Sequence, residues 1–97
     1  MSTLIKDVKE IVTSQTDKDY TTRQFIEDLG QGGCISGMVG DLIYYKDTCA
    51  FYDKHKEEIL MYLDIYEPPF EDENEEVQFK NNYAWEAFEQ VAFHLYR

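Results

Sequence analysis

Residues 75–96, EEVQFKNNYAWEAFEQVAFHLY, decide the fold. Val77, Ala84, Trp85, Ala87, Phe88, Val91, Ala92 and Leu95 set apolar groups nearly all round a helix, and a helix of that kind is covered on several sides. The spacing therefore predicts a central helix with others packed about it. Upstream, Asp47 or Thr48 is placed to cap a helix in which Phe51, Tyr52, His55, Ile59, Tyr62, Leu63 and Tyr66 recur at three and four. Pro68 and Pro69 end that repeat after about five turns. At the start of the chain Leu4, Ile5, Val8, Ile11 and Val12 form one helical stripe that Ser2 or Thr3 can cap, with Lys6, Lys9 and Glu10 on the wet side. The stretch SQTDKDY breaks this pattern. YTTRQFIEDLG restarts it, with Thr21 and Gln24 spaced as a capping box, Tyr20 and Phe25 as a hydrophobic staple, and Gly30 as a stop. No alternation of period two persists, so no sheet is required. The expected fold is all-α, a compact bundle of four to five helices forming a single acidic domain over residues 1–97.

Gly30, Gly32, Gly33, Gly37 and Gly40 are all the glycines of the chain, yet Ile35, Met38, Val39, Leu42 and Ile43 keep helical spacing among them. An interior glycine costs about 1 kcal/mol relative to alanine. Gly33 with Gly37, and Ser36 with Gly40, are then expected to admit a closely crossing neighbour. That strip can pack within the monomer or across a two-fold axis. A homodimer is the reading carried forward, because two acidic faces together reach a charge density that one helix lacks.

Twenty acidic residues against nine basic ones give a formal charge of −11. Nucleic acid and anionic membrane surfaces would repel such a chain, so neither is expected as a direct partner, whereas a basic protein is steered towards it. Fifteen per cent aromatics argue against disorder. The N-terminus is amphipathic and mixed in charge, and no run reaches the roughly 18–20 apolar residues of a membrane span, so a cytoplasmic location is expected. Cys34 and Cys49 carry no zinc or redox spacing and read as small buried side chains.

Chemistry has little to hold on to. His55 lies on the apolar face of its helix with no second histidine near it, which reads as a satisfied buried histidine rather than a ligand or base. His94 complements the last turn of its helix. The glycine cluster lacks the lysine of a phosphate loop. No enzyme, cofactor or metal is expected. Residues 57–77, in contrast, hold nine carboxylates and no lysine or arginine: Glu57, Glu58, Asp64, Glu67, Glu71, Asp72, Glu73, Glu75 and Glu76. Such a block is either solvated surface or a surface to be bound. Glu57, Asp64 and Glu71 on one continuous helical stripe would stand roughly 10 Å apart, against about 1.7 Å of axis per charge in duplex DNA, and the prolines would interrupt that stripe before Glu71. Imitation of a phosphate backbone would thus need two or more elements. Tyr44 and Tyr45 are adjacent and cannot both point inward, so at least one is expected to be exposed as an aromatic anchor beside the acids.

GCISGMVGDLIYYKDTCAFYDKHKEEI and NNYAWEAFEQVA, roughly residues 33–59 and 81–92, resemble a family of small phage and prophage proteins with no established activity. The shared features are Gly-Cys-x-Ser-Gly, Ile-Tyr-Tyr, Phe-Tyr-Asp-x-His and Ala-Trp-x-Ala-Phe-Glu. The resemblance implies a mobile-element origin and, by analogy of class, an inhibitor of restriction enzymes or CRISPR effectors that occupies a nucleic-acid-binding surface in the host cytoplasm. DLIYY, residues 41–45, is also similar to the Asp-x-Ile-Tyr-Tyr-Pro segment of nuclease-colicin immunity proteins, with Lys46 in place of the proline. That likeness implies an immunity protein neutralising a cognate nuclease. A structural or interaction module without inhibitory role is the third expectation.

Overall fold

The structure, a computed structural model, describes residues 3–30 and 45–97, with the side chains of 45–47 left aside. These residues form four helices: α1 (Thr3–Gln15), α2 (Thr22–Gly30), α3 (Tyr45–Leu63) and α4 (Glu73–Tyr96). No strand occurs among the described residues, and the all-α bundle expected from the helical spacings is what the chain adopts. The glycine strip and the Ser2 cap lie outside the described residues.

α4 is the central helix. Its interface with α3 is the most extensive, and it also packs on α1 and α2. Ala84, Ala87, Phe88, Val91 and Ala92 are buried along it, and three of these five are alanines, which let neighbouring helices come close. Against them pack Leu4, Val8 and Val12 of α1, Phe25, Ile26 and Leu29 of α2, and Phe51, Tyr52 and Ile59 of α3. Ile5 and Ile11 sit at the edge of the α1 stripe, partly buried.

The local signals act through the atoms expected of them. The Thr21 amide donates to Gln24 Oε1 at 2.9 Å and the Gln24 amide donates to Thr21 Oγ1 at 3.3 Å, closing the capping box. Tyr20 and Phe25 meet edge to face at 6.3 Å between ring centres. The break before them is an aspartate turn, in which Asp17 Oδ1 accepts from the amides of Asp19 and Tyr20 at 2.8 and 2.7 Å.

Both ends of α3 depart from the expectation. The helix already includes Tyr45, so Asp47 and Thr48 lie inside it rather than at its N-cap position. Thr48 is buried and donates its hydroxyl to Asn81 Oδ1 of α4 at 2.5 Å. At the other end the helix stops at Leu63, well before the prolines. Asp64 takes a left-handed conformation, φ 54°. Its amide donates to Met61 O at 3.3 Å, and the next amide, Ile65, reaches Leu60 O at 3.1 Å. This pair of bonds is a Schellman motif, here built on aspartate rather than glycine. Glu57, Asp64 and Glu71 therefore share no continuous helical stripe, and Tyr66 leaves the α3 repeat altogether. Because an L-residue other than glycine is disfavoured at positive φ, Asp64→Gly is expected to stabilise the fold by about 0.5–1 kcal/mol, and Asp64→Val to destabilise it by more than that. Thermal midpoints of the two variants, moving in opposite directions from wild type, are the measurement.

Candidate functional site

The acids of residues 57–76 lie on three pieces of chain: the C-terminal half of α3, the connection 64–72, and the first turn of α4. Five of them are engaged within the molecule. Glu58 reaches across to the start of α1, where its Oε1 accepts from the Thr3 amide at 3.1 Å and from the Thr3 hydroxyl at 2.6 Å. The Leu4 amide lies 3.4 Å from both of its oxygens. A carboxylate from α3 thus satisfies the first amides of α1, in place of a neighbour in sequence. Glu67 accepts the Tyr52 hydroxyl at 2.7 Å and pairs with Lys56 at 3.2 Å. Burial pushes the Glu67 carboxyl up, but the Tyr52 hydroxyl and the Lys56 ammonium together outweigh it and hold it below the usual carboxylate range. The Tyr52 phenol, buried beside that carboxylate, is raised.

The remaining three belong to α4. Asp72 is its N-cap, accepting from the Glu75 amide at 2.8 Å. Glu75 accepts in turn from the Glu71 amide at 3.1 Å. Glu73, Glu75 and Glu76 occupy the first turn, where unpaired amides and the helix dipole favour negative charge. Glu76 and Asp53 grip Lys80 at 2.9 and 2.8 Å, and these two carboxylates raise the lysine. Much of the carboxylate run is accordingly a helix N-terminus and its supports. Glu57, Asp64, Glu71, Asp72, Glu73 and Glu75 are exposed, and of these Asp72 and Glu75 also accept bonds at the start of α4. Tyr44 lies outside the described residues, and so does the side chain of Tyr45.

Sequence reasoning did not reveal a polar knot between α1 and α3. His55, its side chain fully buried, lies 2.7 Å through Nε2 from Asp7 Oδ2, and its Nδ1 lies 3.4 Å from Thr3 Oγ1. Lys54 meets the same Asp7 oxygen at 2.9 Å. Hydrogen bonding to Lys54 lowers the Asp7 carboxyl, burial opposes it, and His55 adds to the lowering. At His55 the backbone leaves helical geometry, φ −114° and ψ 18°, so α3 is kinked where the knot sits. The expectation of a satisfied buried histidine describes it. A shallow groove of about 450 Å³ beside it is lined by Thr3, Asp53, Lys54, His55, Lys56, Glu57 and Glu58. The order Thr3, His55, Asp7 suggests a nucleophile relay, but the Thr3 proton points to Glu58 and the amides of Thr3 and Leu4 are taken by the same carboxylate. The arrangement holds two helices together.

Tyr20 donates to Asp28 at 2.6 Å, and burial together with that carboxylate pushes its phenol up to about 12. Cys49 is a free, partly buried thiol that burial pushes up, which suits packing better than nucleophilic attack. Among the described residues no group of three or more histidines, cysteines or carboxylates could hold a metal ion. No helix among them is long and apolar enough to cross a membrane. Among the described residues the exposed large apolar side chains are Met61, Tyr62 and Tyr66, 82, 41 and 91% exposed, in and just after the last turn of α3.

No curated protein and no solved structure matches this chain. A family comparison does match, and it covers residues 2–97, nearly the whole sequence and all four helices. The chain belongs to that family, a domain of unknown function (DUF7222).

Proposed function

We propose that this protein is a non-enzymatic acidic inhibitor of phage type, which binds a basic nucleic-acid-handling defence protein, a restriction enzyme or a CRISPR effector, over the surface that takes nucleic acid. The observation that carries the reading is the placement of the solvent-facing acids. Glu57 on α3, Asp64 and Glu71 in the connection, and Glu73 on α4 are exposed on successive elements, in a chain of charge −11. Imitation of a polyanion needs acids from more than one element, and opposite fields accelerate encounter with a basic surface. The assignment to defence inhibition rests on analogy of class.

The intramolecular bonds decide which residues test it. Reversing Glu67 would break the bond to Tyr52, and reversing Asp72 would remove a helix cap, so either change would confuse folding with binding. Glu57→Lys, Glu71→Lys and Glu73→Lys combined leave the Glu67 and Asp72 bonds in place, at the cost of one favourable charge in the first turn of α4. In affinity capture from a host lysate, wild type is expected to retain a basic nuclease or effector at low salt and less of it at physiological salt. The triple variant, with an unchanged circular dichroism spectrum, is expected to retain none. Equal recovery by the two proteins, or recovery of no such enzyme by either, would overturn the proposal.

A further inference from the structure

The last turn of α3 and the chain that follows enclose an open groove of about 330 Å³ lined by Leu60, Met61, Asp64, Ile65, Tyr66 and Glu67. Single exposed apolar side chains are ordinary on protein surfaces. Here Met61 and Tyr66, 82 and 91% exposed, both line one groove, and Tyr62, 41% exposed, follows Met61 in the chain. Neither Met61 nor Tyr66 belongs to the core or its partly buried margin.

The groove is also held in shape. The Schellman turn at Asp64 fixes where its second wall begins, Glu67 ties that wall to Tyr52 and Lys56, and Pro68 and Pro69 restrict the backbone just beyond. A wall fixed beforehand loses less freedom when something docks. The two exposed side chains suit docking too: methionine adapts to irregular apolar partners, and tyrosine gives large contact area at low entropy cost.

Charge selects the occupant. A second copy of this chain would bring another −11 to the contact, and an anionic membrane would repel the groove in the same way. Asp64 and Glu67 line the groove, Glu57 lies one helical turn before Met61 on α3, and Glu67 is already paired with Lys56. We infer that this groove docks a basic amphipathic segment of the partner protein, with the segment's apolar face on Met61 and Tyr66 and its cations towards Asp64, Glu57 and Glu67. The inference rests on the basic-partner reading above and names its contact surface.

Two synthetic peptides of about 18 residues, five helical turns, serve as probes. One carries leucine at i, i+3, i+4 and i+7 spacing with lysine elsewhere, as an amphipathic helix, and the other carries the same charge with serine in place of leucine. Binding is followed by calorimetry at physiological salt and by the methyl resonance of labelled Met61, one of three methionines in the chain. The lysine–leucine peptide is expected to bind and move the Met61 methyl, and the combined Met61→Ala and Tyr66→Ala variant to weaken it by about tenfold or more. Equal binding of the serine peptide, no binding of either, or unchanged affinity of the double variant would overturn the inference. So would movement of the Met61 methyl with protein concentration alone, since that would show a second copy in the groove. If charge reversal abolishes partner capture while the Met61 and Tyr66 changes do nothing, only the groove assignment fails. If charge reversal also does nothing, the acidic-inhibitor reading falls with it.

Discussion

Phe88→Ala is expected to destabilise the fold by about 3–5 kcal/mol and to lower its thermal midpoint by roughly 15–30 °C. Phe88 is fully buried in the helix that touches the other three, among Ala84, Ala87, Val91 and Ala92 and the apolar stripes packed on them. The small neighbours matter, because alanines cannot swing inward to refill the space, so the cavity term persists in full. A domain of this size has on the order of 5–15 kcal/mol in total. The variant would therefore populate the unfolded state under mild conditions. Trp85→Ala, at a partly buried position one turn earlier, should cost clearly less. Urea unfolding of both variants measures the order, and a Phe88 variant as stable as wild type would show that the core lies elsewhere.

The second large effect is expected at the knot between α1 and α3. Asp7→Ala leaves the fully buried His55 imidazole without the acceptor at Nε2, which costs about 1–3 kcal/mol. His55→Leu in the same background removes the stranded group, and two apolar replacements of similar shape can be nearly neutral. The double variant is therefore expected to recover most of the single loss, and a double-mutant cycle reads the coupling directly. Strict additivity of the two changes would mean that the 2.7 Å contact contributes nothing.

The pH dependence of that knot has a definite sign. In the folded protein the Asp7 carboxyl lies below its ordinary value, and so does Glu67. Each contributes stability that is complete above the unfolded carboxylate range, about pH 4, and is lost as pH falls through the folded value. Glu89 runs the other way: burial raises it, with Glu86 adding to the effect, so its contribution is present at low pH and lost as pH rises. Lys80, raised by Asp53 and Glu76, contributes up to its unfolded value near pH 10 and loses that contribution as pH rises through the folded one. Comparison of wild type with Asp7→Asn isolates the first of these groups. The stability advantage of wild type should shrink as pH falls below about 4, the unfolded carboxylate value, and through the lower folded one.

Much of the fold is legible in the sequence where the physics is local or periodic. The all-round apolar pattern of residues 75–96 marks the central helix, and Thr21 with Gln24 marks the start of α2 because a capping box is completed within four residues. The end of α3 is not legible in the same way. Prolines signal a stop loudly, whereas an aspartate entering the left-handed region is one residue with no glycine to announce it. Contacts such as Asp7 with His55, or Glu58 with Thr3, are 48 and 55 residues apart and exist only once the helices cross. For the candidate surface, the identity and excess of the acids can be read directly. Which of them are held by Tyr52, Lys56, Lys80 or the start of a helix depends on tertiary neighbours, and so does the emergence of Met61 and Tyr66.

The turn at Asp64 decides which aromatic side chains the protein conceals and which it displays. Had α3 run on to the prolines, Tyr66 would have shared the stripe of Tyr52 and Ile59 and turned towards the interior. Instead one backbone angle of 54° redirects the chain, sending Glu67 back to cover the Tyr52 hydroxyl and Tyr66 outward. Two tyrosines fourteen positions apart, alike in the helical repeat, become one sealed and one presented. The chemical character of this part of the surface is thus set by main-chain conformation as much as by the list of side chains.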